Sequence, residues 1–415
     1  MNTTLGFRKM TFVHRAALGG IALAMAACSG VDRSEPTEGH RATSLVLASQ
    51  QATLSASDAS MQDLFGLQVA IDGDTAAVLG QTNNGGSSPD PGLAVYVFTR
   101  TGTGWVEQQK LTPSERVTQN DFGQIAIDGD TIAMGSHHGV YIFARSGSTW
   151  GEQQKLAPRA EDSTFGASVA LDGDTLVAGA PTEDAAESRA GAAYVFTRSG
   201  TSWSEQQRIV AADGQIRDLF GFAVAVDGDR IAVGADAASE RGFYTGAAYV
   251  FARSATGWTQ QQKLLPDAVT GGDEFGGRLA LKGGTLVIGS PGDDTKGEDT
   301  GALYVFTESN ATWVEQTKLF SSEAVPSQIL GASVAIDGST IVAGTKVITE
   351  NGGVAYTFER STDGQWTQHE KLAPSDPEKV YLFGYCVAVS GSTKLVGALV
   401  RDPSGHGAAY VFGPS

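Results

Sequence analysis

Phe-Gly, or Leu-Gly once, returns at Phe65, Phe122, Phe165, Phe220, Phe275, Leu330 and Phe383, at intervals of 57, 43, 55, 55, 55 and 53 residues. A period near 50 constrains the fold more than any other feature, because a unit of that size cannot bury its own apolar surface and must stack on copies of itself. Each copy has the same order. In the third it runs FGASVALDGDTLVAGAP (165–181), a variable acidic stretch, GAAYVFTRSG (191–200) and SWSEQQRI (202–209). Asp-Gly between β-forming runs marks a tight hairpin, since Gly takes a positive φ without a Cβ clash. The abundant glycine (53 residues against 13 prolines) fits a chain of many tight turns. Each copy therefore predicts four short antiparallel strands. The expected fold is all-β, a seven-bladed propeller of four-stranded antiparallel blades. The six tryptophans and the tyrosines of the YVF-type strands (Tyr96, Tyr141, Tyr194, Tyr249, Tyr304, Tyr356, Tyr410) keep this spacing and read as packing between blades.

The last copy stops at AAYVFGPS (408–415) without its Trp-led strand, which would leave an exposed sheet edge. A match to the missing strand stands at the other end of the array. VLASQQATLSA (46–56) parallels WSEQQRIVA, with Gln50 and Gln51 in the Glu-Gln-Gln step and Leu54 in place of the closing aliphatic residue. An N-terminal strand is therefore expected to complete the last blade and close the ring, with 44–415 forming one propeller.

The repeated Phe-Gly, with Gly179-Ala180-Pro181 and Gly289-Ser290-Pro291 following one strand later, resembles the FG-GAP repeat, the blade unit of integrin α-chain propellers and of many bacterial surface proteins. The resemblance implies architecture and leaves activity open. In that family, calcium-holding blades carry an Asp-x-Asp-x-Asp-Gly loop between the first two strands. Here the turn is Asp72-Gly73-Asp74, Asp128-Gly129-Asp130, Asp172-Gly173-Asp174 or Asp227-Gly228-Asp229, and it decays to Lys282-Gly283-Gly284 and Ser390-Gly391-Ser392. Two carboxylates in a two-residue hairpin cannot supply the six or more oxygens that Ca²⁺ takes. No cofactor and no metal site is expected.

Residues 1–27 hold Arg8, Lys9 and Arg15, no acid, and an apolar run of twelve residues from Ala16 to Ala27. That run is too short to span a bilayer as a helix and reads as a cleavable signal peptide. Met25-Ala26-Ala27-Cys28 resembles the lipobox of bacterial lipoproteins, which implies lipidation of Cys28 and attachment to a membrane. Residues 28–43 are polar and aperiodic, a flexible tether. Ser29 after the cysteine points, by the same resemblance, to the outer membrane or cell surface; the alternative is a plain secretory signal and a secreted or periplasmic protein. The other thiol, Cys386, falls where sister copies carry Ser168 and Ser333 and reads as a small buried side chain, so no disulfide is expected. A net charge of −17 disfavours nucleic acid as a partner. The expected state is a monomer.

Chain direction puts the hairpins joining strands one to two and three to four at one end of the disk. The connections between strands two and three, and from blade to blade, then lie at the other. That second end varies in length and is the expected binding face for a protein or glycan ligand. Its candidate binding residues are Glu183, Asp184, Asp236, Asp293, Asp294, Glu298 and Asp299, with PGDDTKGEDTG (291–301) the densest group. Lys296 lies inside that stretch and its spacing is not that of an EF-hand loop. His137-His138 lacks an identifiable third ligand. No Walker A, nucleophile elbow, His-Glu-x-x-His or paired-cysteine motif occurs, and no catalytic residue is assigned. The expected function is that of a secreted, lipid-anchored binding or adhesion module. The alternatives are a propeller hydrolase or lyase acting on extracellular polysaccharide, and a structural envelope component.

Overall fold

The computed structural model describes residues 46–59, 64–82, 92–102, 104–157, 159, 164–185, 187–346, 352–377, 380–400 and 406–413. The signal peptide, Cys28, the tether and most of the loop after Thr82 lie outside the described residues.

Within residues 46–413 the described strands form seven sheets, one per copy of the repeat. Blade three is representative, with strands Ser168–Asp172, Thr175–Ala180, Ala192–Ser199 and Ser202–Ile209 in sequential antiparallel order. The other blades span 68–111, 122–156, 223–264, 278–319, 333–372 and 380–412. First strands of successive blades touch in order around a ring, and that of blade seven touches that of blade one. They line an axial channel of about 330 Å³.

Blade seven lacks a C-terminal outer strand and receives Gln50–Leu54 instead, with Thr53 opposite Tyr410 and Leu54 opposite Ala409. This is the closure that the sequence predicts. One feature beyond that expectation is a two-residue strand, Val46–Leu47, lying parallel to the outer strand of blade six. The N-terminal segment thus pairs with both blade six and blade seven.

Glycine recurs because blades meet backbone to backbone. A Cβ on Gly179, near the end of the second strand of blade three, would lie 1.9 Å from the Gly221 carbonyl oxygen of blade four, and Gly221 itself has φ of 94°. The two glycines of the repeat name are one contact seen from two blades. The phenylalanine beside them packs edge-on against the YVF strand, with Phe165 5.4 Å from Tyr194 and 6.0 Å from Phe196 between ring centres. Blade two departs from the pattern. One residue fewer separates Phe122 from its turn Asp128, and Phe122 sits in the first strand, opposite Ser136; blade seven also draws its Phe383 into the first strand, Val380–Ser390.

Candidate functional site

The repeated polar residues are largely consumed by blade-to-blade contacts. The first Asp of each hairpin accepts a hydrogen bond from the turn glycine N–H of the next blade. Asp72 does so from Gly129, Asp128 from Gly173, Asp172 from Gly228, Asp227 from Gly283 and Asp337 from Gly391, at 2.6–2.8 Å. Ser390 takes the role across the seam, accepting from Gly73 at 2.9 Å. Lys282 interrupts the series and pairs back with Asp227 at 3.2 Å. The second Asp pairs with an arginine of the third strand, as Asp174 does with Arg198 at 2.7 Å. Arg198 stacks 5.2 Å over Trp203 and reaches the Thr131 hydroxyl of blade two. These carboxylates are engaged within the scaffold, which gives a structural reason for the Asp-Gly-Asp turns without calcium. The last Gln of the Trp-led strand forms a two-point bond with the next blade's tryptophan backbone, as Gln154 does with Trp203 at 2.8 Å in both directions.

Two of the seven candidate acids belong to a third such device. Glu183 is 7% exposed and accepts from the Tyr194 hydroxyl at 2.8 and 2.7 Å and from Arg208 Nε at 2.6 Å. Burial and this carboxylate push the Tyr194 phenol up to about 12. Asp293 is 1% exposed and takes the Tyr304 hydroxyl at 3.2 Å together with Lys318. Blades one and six use Asp58 and Glu323, from the connection leaving the previous blade, in the same way. Asp184 and Asp294 are exposed and each accept a backbone N–H five residues on, from Arg189 and Asp299. Glu298 is exposed; Asp299 is half-buried, and burial with Asp294 and Glu298 raises its carboxyl. The acids therefore do not converge, and no cluster of three or more metal-ligating side chains forms among the described residues.

Asp236 stands apart. It occupies the proline position of the Gly-Ala-Pro step, where blades three and five carry Pro181 and Pro291 and blade six carries Lys346. It is 2% exposed, and its Oδ1 has no hydrogen-bond partner among the described residues. Burial, with the nearby Glu274 charge, raises its carboxyl to about 7. Across the blade boundary is Arg278, a residue lining the channel where blades three and six carry Ser168 and Ser333. Its Nε donates to the Ala332 carbonyl at 2.9 Å and its Nη1 to the Gly277 carbonyl at 2.6 Å, and the guanidinium lies 5.5 Å from the Phe222 ring. Burial and the Arg278 charge lower the Lys346 ammonium against the opposing pull of the Glu274 carboxylate, and the ammonium sits 5.9 Å from the Tyr385 ring. Asp236, Arg278 and Lys346 lie at or just beyond the ends of first or second strands on the variable-loop side. The sequence reading named Asp236 alone. Arg278, at a position held by Ser168 and Ser333 in sister blades, and Lys346, at one held by Pro181 and Pro291, were legible as charges out of pattern, but only alignment on the channel axis brings them together.

The FG-GAP repeat family model matches residues 48–98, 150–196, 203–251, 258–306, 313–358 and 366–412. With well over half of its length matched, the chain belongs to the FG-GAP repeat family. Each matched unit opens at an outer strand and ends on the third strand of the following blade, and the first opens at Ala48, just before the strand that closes blade seven. The unmatched interval, 99–149, contains the first three strands of blade two, the copy with the shortened Phe-Gly segment. Among solved structures, the chain is similar to the extracellular domain of a putative hybrid two-component system from B. thetaiotaomicron, at 14% identity and a TM-score of 0.45, over 87% of this chain and 39% of that one. The chain thus spans well under half the length of that structure. No curated protein matches it.

Proposed function

We propose that this protein is an exported, lipid-anchored FG-GAP propeller that works without catalysis as a monomeric binding or adhesion module, taking a protein or glycan ligand on its variable-loop face. The observation that carries this reading is the division of labour within the repeat. Hairpin aspartates, Trp-led strands and YVF tyrosines hold blade to blade, while the loops of one face keep Asp184, Asp294 and Glu298 exposed. Loops on a rigid scaffold are where recognition residues concentrate. Export and anchoring rest on residues 1–28, which lie outside the described part of the chain. Radiolabelled palmitate incorporation tests them: label and membrane association should vanish in Cys28→Ser, and label retained in that variant would overturn the anchor. Binding is tested on protein and glycan arrays, where signal should fall when the 181–190 and 291–301 loops are exchanged for the short blade-two loop. Turnover of a polysaccharide, abolished by Asp236→Asn, would replace this reading with the enzymatic one.

A further inference from the structure

Blade four lacks an acid that both of its neighbours carry, and a cavity stands at that place. The Gly246 N–H donates to the Ala238 carbonyl as Gly191 does to Glu183 and Gly301 to Asp293, so Ala238 occupies the position of the two acids that hold Tyr194 and Tyr304. Without a carboxylate there, the Tyr249 hydroxyl is buried with no hydrogen-bond partner among the described residues, although Lys263 and Asp213 lie close enough for their charges to act on it. Ala238 lines a cavity of about 380 Å³ together with Asp213, Ile216, Asp218, Glu240 and Lys263. Tyr194 and Tyr304 aim their hydroxyls at the acid that Ala238 replaces, which directs the Tyr249 hydroxyl at the floor of this cavity. Asp218 is 6% exposed; its Oδ2 accepts from the Gln215 N–H at 2.8 Å, and its Oδ1 takes no hydrogen bond among the described residues. Lys263 is the one cation of the lining and is shared by Asp213 and Glu240. Three carboxylates therefore face a single ammonium. Burial raises the Asp218 carboxyl; the Gln215 N–H and the Lys263 charge oppose this, and the Asp213 and Glu240 charges add to it.

We infer that this cavity binds a primary ammonium group on a short apolar stem, that of an alkylamine or of a lysine side chain, with Asp218 Oδ1 and the Tyr249 oxygen accepting its N–H groups and Ile216 flanking the stem. An ammonium carries three donors and no acceptor, which suits two unpartnered acceptors set side by side. Its charge also offsets the excess of carboxylates. An anion could complete the Tyr249 bond as Glu183 completes that of Tyr194, but it would be set against Asp213, Asp218 and Glu240 with Lys263 already engaged. A metal ion fits less well, because no group of three or more metal-ligating side chains forms among the described residues and the Lys263 ammonium bonds two of the acids itself. Ile216 is 61% exposed, and with Ala238 it gives the cavity the apolar surface that an alkyl stem covers. This inference rests on the binding-module reading and deepens it, naming the chemical group that blade four recognises.

The test is ligand-observed NMR titration of the full-length protein with n-butylamine and with Nα-acetyl-lysine amide. The comparisons are n-butanol, tetramethylammonium and the lysine amide acetylated at both nitrogens. The two amines should bind, and butanol and the doubly acetylated amide should not. Tetramethylammonium carries the charge without an N–H and should bind at least about 10-fold more weakly. A lysine derivative that binds at least about 10-fold tighter than butylamine assigns the site to a protein side chain, and a smaller difference assigns it to a free amine. Ala238→Glu installs the acid that blade three carries and should abolish amine binding without lowering the melting temperature. Asp218→Asn keeps an acceptor for the Gln215 N–H, should weaken both amines about 10-fold or more, and keeps the site testable if Ala238→Glu does not fold. The inference is overturned if the folded wild type binds neither amine, if tetramethylammonium binds as tightly as they do, or if the folded variants bind normally. Palmitate labelling and array binding through the 181–190 and 291–301 loops involve other segments and would stand or fall separately.

Discussion

Arg230 of blade four and Glu308 of blade five meet across their blade boundary in three contacts of 2.7–3.0 Å, and each replaces the residue type that its sister blades carry. Where Arg230 stands, other blades have Thr75, Thr131, Thr175, Thr285, Thr340 and Thr393; where Glu308 stands, they have Arg100, Arg145, Arg198, Arg253 and Arg360. The polarity of one inter-blade contact has been reversed with its geometry kept. Glu308→Arg should set two guanidiniums against each other and lower stability by about 1–2 kcal/mol, while Arg230→Thr with Glu308→Arg should regain most of that loss by restoring the sister pattern. Urea unfolding of both single variants and the double variant reads the coupling directly. Additive effects would mean that the pair does not interact.

Closure of the ring predicts a sharp asymmetry between two deletions. Removing 44–56 takes away the ladder to Ala408–Phe412 together with the buried Leu54 and Ala56. Loss of at least about 4 kcal/mol follows from the apolar area and unpaired backbone exposed. Removing 29–43 should leave the melting temperature within a degree or two. Equal destabilisation by the two deletions would contradict the seam.

Cys386 sits on the same seam, where its Sγ donates to the Gly66 carbonyl oxygen of blade one at 3.2 Å. Burial pushes its thiol up to about 12, so the native protein at pH 8 should leave Cys386 unmodified by iodoacetamide, with labelling appearing only in denaturant. Peptide mass spectrometry distinguishes the outcomes. Cys386→Ser, which reproduces the Ser168 and Ser333 contacts to Gly221 and Gly384, should cost less than about 1 kcal/mol.

Asp236 carries a pH signature. Its carboxyl is raised above the unfolded value, so folding favours the protonated form. Stability from this group is full below about pH 4 and is lost as pH rises through about 7. Glu274 works in the same direction, and the Arg278 charge opposes it. Asp236→Asn should therefore be the more stable protein at pH 8, by an amount on the order of 3 kcal/mol, and lose that advantage near pH 4. Melting temperatures of the two proteins across that range provide the check; a constant difference would remove the buried carboxylate from the account.

The repeat made the fold readable because each blade solves the same packing problem with the same residues. Phe165 to Asp172 and Phe220 to Asp227 keep one spacing, and the Gln50 segment carries the pattern of the strand that it replaces. Blade two hid its difference in a single missing residue: Phe122 is in the first strand, with an irregularity before Ile125, where blade three has a turn ahead of Ser168. The Val46–Leu47 strand had no signal, because two residues are too few for a period. The site was harder to read. Carboxylates at Glu183 and Asp293 look alike on paper to those at Asp184 and Asp294, and only the inward tyrosine and basic side chain separate structural acids from exposed ones. Arg278 and Lys346 are 68 positions apart, and a circular arrangement alone makes them neighbours.

Because a matched unit starts on the rim of one wedge and finishes inside the next, copying or excising a whole unit brings both halves of an inter-wedge joint along with it. The circle can gain or lose members without stranding an orphan edge anywhere. Where the polypeptide begins is then a matter of genetic accident: a version opened at another boundary, its old ends spliced by a short linker, should assemble into the same wheel.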